Sequence, residues 1–187
     1  TREQMRLLRG RVERMEASAR YSALSRLHDT REDRKALRAE MEALEAEVRQ
    51  AGAHAVGPGQ YALGRALLAL EDKEGARERL ESAWAHGYRE PRVAWALALV
   101  LGHLYQEQLL LDVERRGPEQ REARRRDIQR RYRDPALAWL RQAEGPDVPA
   151  PPLYVKALLA FFEEHHEEAL AHLDAMGNTQ PWFHEGP

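Results

Sequence analysis

The sequence predicts an all-α fold, a right-handed stack of antiparallel helix pairs preceded by an N-terminal helical hairpin. The composition is the first reason: 32% of the residues are charged, alanine and leucine are abundant, and β-branched residues are scarce, as in helical proteins. The second reason is the segment from Gln60 to Ala83, which has the pattern of two short helices joined by a tight turn. The third is that this segment recurs downstream in altered form.

Small and large apolar residues alternate at helical spacing in this segment. Asp72, in the polar break between the two helices, is suited to capping the second helix. Gly64 and Ala76 are small, so they leave room for the helices to approach closely. The apolar stripes are Leu63, Gly64, Leu67 and Leu68 on the first helix, and Ala76, Leu80, Ala83 and Trp84 on the second.

This alternation resembles the tetratricopeptide repeat, which has Leu-Gly early in its first helix and small–large–small apolar residues along its second. A generic helical hairpin carries similar stripes and is the alternative interpretation. The resemblance implies a stack of such pairs with a concave groove for an extended peptide or a partner helix. The matching positions are Leu63, Gly64, Leu67, Ala76, Leu80 and Ala83.

Three such repeats are predicted. The second begins with a long apolar helix at Pro91, and its second half appears only at Asp134, so residues 107–133 form a helical insertion. The third aligns on the first without gaps, but Lys156 and Ala160 replace leucines, and Phe161 and Phe162 are expected to restore the lost volume. The repeats span about 57–90, 91–144 and 151–180 within a repeat domain of residues 52–187.

Residues 1–51 are predicted to form the N-terminal hairpin, whose second helix opens at Thr30. Each helix carries a narrow apolar seam at steps of three and four residues. Such seams either pair two copies of the chain as a coiled coil or cover the apolar face of the first repeat. The seams are Met5, Leu8, Val12, Met15 and Ala19, and then Leu37, Met41, Leu44 and Val48.

Charge and composition exclude several classes of partner. The net charge is −2, which exerts no general attraction toward nucleic acid or acidic membranes. No segment reaches the roughly 18 apolar residues of a spanning helix, so no direct membrane insertion is expected. The insertion is rich in arginine, but acidic residues offset much of that charge and only Tyr132 is available for base stacking. We expect an ion-paired or solvated helix face there, and no nucleic-acid partner.

No constellation of residues predicts catalysis, a cofactor or a metal. There is no cysteine, no identifiable activated serine, and no glycine-rich phosphate loop after a strand. The nearest metal candidate is the segment from His165 to His172, where His165, Glu168 and His172 share a helix face. With His166, these residues also match an exposed bend between helices, so metal binding by this turn is left open.

Several longer sequence segments resemble the region that follows the kinase domain in bacterial transmembrane serine/threonine protein kinases with tetratricopeptide repeats. The resemblance implies an upstream kinase domain, with its ATP and Mg²⁺ sites, and a membrane span before Thr1. It implies an extracytoplasmic location for this segment, while the sequence leaves a cytoplasmic one open. The segments are SRLHDTREDR, GPGQYALGRALLAL, HGYREPRVAWALALVLGHLYQ, RRYRDPALAWLRQ and PWFHE.

The resulting hypothesis is a protein–protein interaction domain, a sensor or scaffold, that regulates or localises an attached kinase. A structural or dimerisation spacer working through the N-terminal hairpin, as a homodimer, is the alternative. A metal- or small-ligand sensor at the His165–His172 turn is a third. Candidate groove residues are first-helix positions that face away from the internal stripe: Gln60, Arg65, Trp95 and Lys156.

Overall fold

A computed structural model describes residues 6, 10–15, 17, 30–50, 56–111 and 118–179. Those residues form helices and no strand, which confirms the all-α prediction. Across them, no helix combines the length and the apolar character needed to cross a membrane. The helices are α1 Thr30–Gln50, α2 Val56–Ala69, α3 Lys73–Ala85, α4 Pro91–Leu111, α5 Pro118–Ile128, α6 Asp134–Leu140, α7 Pro152–Phe162 and α8 His166–Thr179, with a π-helical segment Gln129–Arg133 between α5 and α6.

The chain divides into two compact units, Thr1–Arg89 and Glu90–Pro187. In the first unit, α1 packs on α2 and α2 packs on α3. Seam residues of both hairpin helices join α2 in one core, so these residues cover the apolar face of the first helix pair. That core contains Val12, Met15, Leu44, Val48, Ala62, Leu63 and Ala66. Met5, Leu8 and Ala19 lie outside the described residues, as does the side chain of Leu37.

The α2–α3 hairpin forms as the sequence predicts. Asp72 caps α3, and its carboxylate accepts a hydrogen bond of 3.0 Å from the backbone N–H of Gly75. The helices meet at Gly64, where an added Cβ would lie 2.7 Å from Leu80 Cγ and 3.2 Å from the carbonyl oxygen of Ala76. The close approach predicted at Gly64 and Ala76 is therefore confirmed.

The α7–α8 hairpin repeats the turn of the α2–α3 hairpin. Among the described non-glycine residues, only Glu71 (φ 61°) and Glu164 (φ 65°) have positive φ, and they are equivalent positions in the two turns. The residue after each glutamate donates a backbone hydrogen bond five residues back. Asp72 N to Leu67 O measures 3.0 Å, and His165 N to Ala160 O measures 2.8 Å. The ungapped alignment of the third predicted repeat on the first thus holds at the turn.

The predicted insertion runs directly into the helix predicted as the second half of the same repeat. No new helix starts at Asp134, because residues 118–140 are helical throughout. In a regular α-helix the ring of Pro135 would clash with the carbonyl of Arg131, four residues earlier. The wider π turn accommodates the proline, and it is closed by a hydrogen bond from Asp134 N to Gln129 O. The second half of the repeat, predicted to begin at Asp134, therefore continues the helix of the insertion after a change of helix type.

The π segment also keeps one side of this long helix in register. Ile128, Tyr132, Ala136 and Leu140 recur every four residues and are all buried. In a regular α-helix four residues turn about 400°, so such a stripe drifts by about 40° at each step. A π turn takes more residues, so it reverses part of this drift. The stripe can then face α4, against which the π segment and α6 pack.

Helix α4 is buried on most sides, as its apolar sequence predicts. Its Gly102 lies under the ring of Phe162, so close that an added Cβ would be 2.5 Å from Phe162 Cζ. Tyr105 packs edge-on against the same ring at 6.3 Å between centroids. Phe161 remains 37% exposed. Of the two phenylalanines expected to restore volume in the third repeat, Phe162 is therefore the one that is buried.

Candidate functional site

Two of the predicted groove residues lie on α2 in the first unit, and both are half-buried. Arg65 Nη1 donates a hydrogen bond of 2.8 Å to the hydroxyl of Tyr61, and its guanidinium lies 5.8 Å from the centre of the Tyr61 ring. Gln60 Oε1 accepts a hydrogen bond of 3.3 Å from Arg79. Both side chains are thus held in place before any ligand arrives, which lowers the entropy that binding must remove.

The other two predicted groove residues lie in the second unit and differ from each other. Trp95 is only 3% exposed, and its ring packs edge-on against Tyr154 with centroids 5.9 Å apart. Lys156, on α7, is exposed. Trp95 was expected to face outward, but α4 is covered on most sides and its indole is part of the core. Lys156 is the accessible one of the pair.

An ionic cluster that the sequence did not predict connects the insertion to the α7–α8 turn. The carboxylate of Glu164 accepts a hydrogen bond of 2.8 Å from Arg125 Nη2 and one of 3.4 Å from Gln129 Nε2. Arg133 Nη1 lies 3.7 Å from the same oxygen. We call Arg125, Gln129, Arg133 and Glu164 the Glu164 clasp. The three residues on the long helix are spaced by four, and the π segment runs from the second, Gln129, to the third, Arg133.

The clasp favours the charged states of Glu164 and Arg125. The hydrogen bond from Arg125 is the main cause that holds the pKa of Glu164 below its usual value, with the charges of Arg125, Arg133 and His166 acting in the same direction. Reciprocally, the hydrogen bond to Glu164 and its charge raise the pKa of Arg125. A carboxylate held ionised by two guanidinium groups is suited to structural pairing and not to proton transfer.

Other described arginines of the insertion also have partners, as expected for an ion-paired or solvated helix face. Arg124 pairs with Asp127 at 3.2 Å, and Arg126 pairs with Glu122 at 2.9 Å. Arg131 lies over the Tyr132 ring at 6.0 Å. The one aromatic residue considered for base stacking is therefore covered by an arginine and buried.

The His165–His172 turn places its side chains as the helical spacing predicts. Glu168 lies 3.8 Å from His165 Nδ1 and 3.6 Å from His172 Nε2. Over the described ranges, however, no three histidine, aspartate or glutamate residues are arranged to hold a metal ion. His166 is turned toward Phe161, with ring centroids 5.9 Å apart. In this structure the turn is an exposed bend, and its Glu163 and Glu164 pair with Arg141 and Arg125.

The candidate sites thus consist of accessible helix surfaces on α2 and α7 and of the ion pairs of the Glu164 clasp and the insertion. Of the predicted groove residues, Gln60 and Arg65 on α2 are half-buried and Lys156 on α7 is exposed, so a ligand can reach these three. The Glu164 clasp could not be found from spacing alone, because its carboxylate comes from a turn 31 residues beyond Arg133 (from 133 to 164). Comparison of the chain with protein-family models, curated proteins and solved structures gave no match.

Proposed function

We propose that this chain is a protein–protein interaction module of tetratricopeptide-like helix pairs, which regulates or localises an attached bacterial serine/threonine protein kinase. The observation that carries the proposal is the equivalence of the α2–α3 and α7–α8 turns, each with a left-handed glutamate at Glu71 or Glu164. Repeated helix pairs stack into extended surfaces that bind peptides and helices. Catalysis, with ATP and Mg²⁺, would belong to the kinase domain, and this segment would lie across a membrane from it.

Arg65 and Lys156 are the proposed ligand contacts within their respective units. Both are cationic, and Arg65 is oriented by the hydroxyl of Tyr61. A guanidinium fixed in this way is suited to a carboxylate of a peptide partner, because little side-chain freedom is lost on pairing. Gln60 supplies an amide on the same helix. Trp95 acts as a packing residue of the second unit.

A peptide selection on the whole chain tests the function. A random peptide library is selected against the wild-type chain and, in parallel, against an unrelated helical protein. We expect at least one peptide family specific to this chain, with affinity about tenfold weaker, or about 1.4 kcal/mol, for Arg65→Ala or Lys156→Ala. Arg89→Ala, an exposed cation outside the helices, is the matched control. The absence of any specific family would contradict the proposal.

The dimerisation spacer is less well supported. Its working surface would be the hairpin seam, but Leu44 is 0% exposed and packs with Val12, Met15 and Val48 on α2. These seam residues already have an apolar partner in their own unit.

A further inference from the structure

Helix α8 presents a narrow strip of side chains that the described residues of its unit leave wholly or partly exposed. His166, Leu170, Leu173 and Gly177 fall at positions i, i+4, i+7 and i+11, so they lie along one face of the helix. Leu170 is 61% exposed, and Leu173 is half-buried. An added Cβ at Gly177 would have no atom within 4 Å. We call these four residues, with Phe161, the α8 strip.

The strip is distinct from the face that anchors α8. Ala169 and Met176 are buried and point about 100° to 120° away from Leu170 around the helix axis. Phe161 extends the strip onto α7, since its partly exposed ring lies 5.9 Å from the ring of His166. From His166 to Gly177 the strip is about 16 Å long. That length matches about three turns of a partner helix.

Uncompensated negative charge borders the strip. Glu167 and Asp174 lie on one side of Leu170 on α8, and both are exposed. In the part of the chain that the structure describes, neither has a cationic partner. Glu163 and Glu164, by contrast, pair with Arg141 at 2.6 Å and with Arg125 at 2.8 Å. No lysine or arginine occurs between residues 163 and 179.

From this combination we infer that the α8 strip docks a cationic amphipathic helix. Apolar side chains of that helix would cover Leu170 and Leu173, and a large one would enter the open space at Gly177. Its lysines or arginines would face Glu167 and Asp174. Apolar burial supplies affinity in such helix-on-helix docking, whereas complementary charge sets orientation and partner choice. The inference rests on the proposed interaction function and names the chemistry of the partner.

The test compares two synthetic helical peptides about four turns long with the same leucine stripe. One carries lysine and arginine beside the stripe, and the other carries glutamate. Binding to the whole wild-type chain is measured by fluorescence anisotropy. We expect saturable binding of the cationic peptide and none of the anionic one. Leu170→Lys and Asp174→Lys should each weaken the cationic peptide about tenfold or more, a loss of about 1.4 kcal/mol.

Two controls separate the strip from folding and from general charge. Glu78→Lys changes an exposed residue of α3 by the same charge as Asp174→Lys, and it should leave affinity unchanged. Circular dichroism of Leu170→Lys should match the wild type, because the side chain it replaces is mostly exposed.

Several results would overturn the inference. Among them are the absence of cationic-peptide binding, equal binding of both peptides, and unchanged affinity in Leu170→Lys. Loss of self-association in Leu170→Lys would instead assign the strip to a second copy of the chain. If selected peptides depend on Arg65 or Lys156 but not on Leu170, the interaction function stands and the α8 strip does not.

Discussion

At the scale of single residues, Glu71 and Glu164 adopt the same strained backbone conformation in different surroundings. Both have positive φ, a region that most side chains avoid at a cost of about 1 kcal/mol. Glu164 is also held by the guanidinium groups of Arg125 and Arg133 and by the amide of Gln129. The turn geometry is therefore common to the two hairpins, and the Glu164 clasp holds the turn between α7 and α8.

Replacing Glu164 with glutamine is expected to weaken the clasp. The carboxylate is 43% exposed, so solvent screening limits the loss of stability to about 0.5–1 kcal/mol at pH 7. Folding lowers the pKa of Glu164. The clasp therefore contributes fully above the unfolded pKa of about 4.3, and its contribution is lost as the pH falls through the lower folded value.

Urea unfolding of wild type and Glu164→Gln at pH 7 and at successively lower pH measures this difference. The difference in the free energy of unfolding between wild type and Glu164→Gln should disappear only at acid pH. Glu167→Gln, which removes an acidic residue from the same hairpin without removing a described ion pair, should show no gap at pH 7. A gap of similar size in both variants would mean that the clasp has no specific effect.

Glu71→Gly is expected to stabilise the chain by about 0.5–1 kcal/mol, because glycine adopts positive φ without steric cost at a helix end. Thermal unfolding measures the change. Glu74→Gly, in the first turn of α3, is the matched control and should destabilise, since glycine disfavours regular helix. Destabilisation by Glu71→Gly would show that the side chain of Glu71 outweighs its backbone strain.

At the scale of the helices, glycine has opposite consequences at two places. Gly64→Ala introduces a methyl group 2.7 Å from Leu80 Cγ. We expect a net loss of about 1–2 kcal/mol, because overpacking exceeds the helix-propensity gain of about 1 kcal/mol. Gly177→Ala meets open space and should be neutral or stabilising. Chemical denaturation of both variants tests the contrast, and the same sign for both would refute the close helix crossing.

Local signals explain which helices could be predicted from the sequence. Asp72 as a cap, Gly87 with φ 84° and Pro91 at the start of α4 each act through their own backbone, so a short stretch of sequence suffices. Pro135 does not fix the start of a helix, because its ring is compatible with a first helical turn and with a position just after a π turn. Only the packing of Tyr132 and Ala136 against α4 decides between them.

The candidate site was less predictable because its residues depend on contacts between distant segments. Trp95 sits at an outward position of its own repeat pattern, yet Tyr154, far along the sequence, packs against it. Arg125 and Arg133 were recognised as charges, but the acceptor turn at Glu164 was not. Lys156 is exposed and Arg65 is half-buried. Lys156 occupies the position of Leu63, which is buried in the first unit, so helix position alone does not determine exposure there.

At the scale of the whole molecule, the hairpin seam determines whether the chain needs a second copy. Leu44 and Met15 are fully buried in a core shared with Ala62 and Ala66 of α2. Because this apolar surface is already covered, we expect a monomer. Light scattering should give 21.5 kDa over a wide concentration range.

Leu44→Ala distinguishes a core within one chain from a core between two chains. Loss of a fully buried leucine should lower the free energy of unfolding by about 2–5 kcal/mol. In a monomer the unfolding midpoint of this variant does not depend on protein concentration, whereas in a dimer it rises with concentration by mass action. Leu170→Ala, on the exposed strip, is the control and should change stability little. A doubled mass in light scattering would place the seam between two chains and favour the dimerisation spacer. An unfolding midpoint that rises with protein concentration in the wild type, and is lower in Leu44→Ala, would lead to the same conclusion.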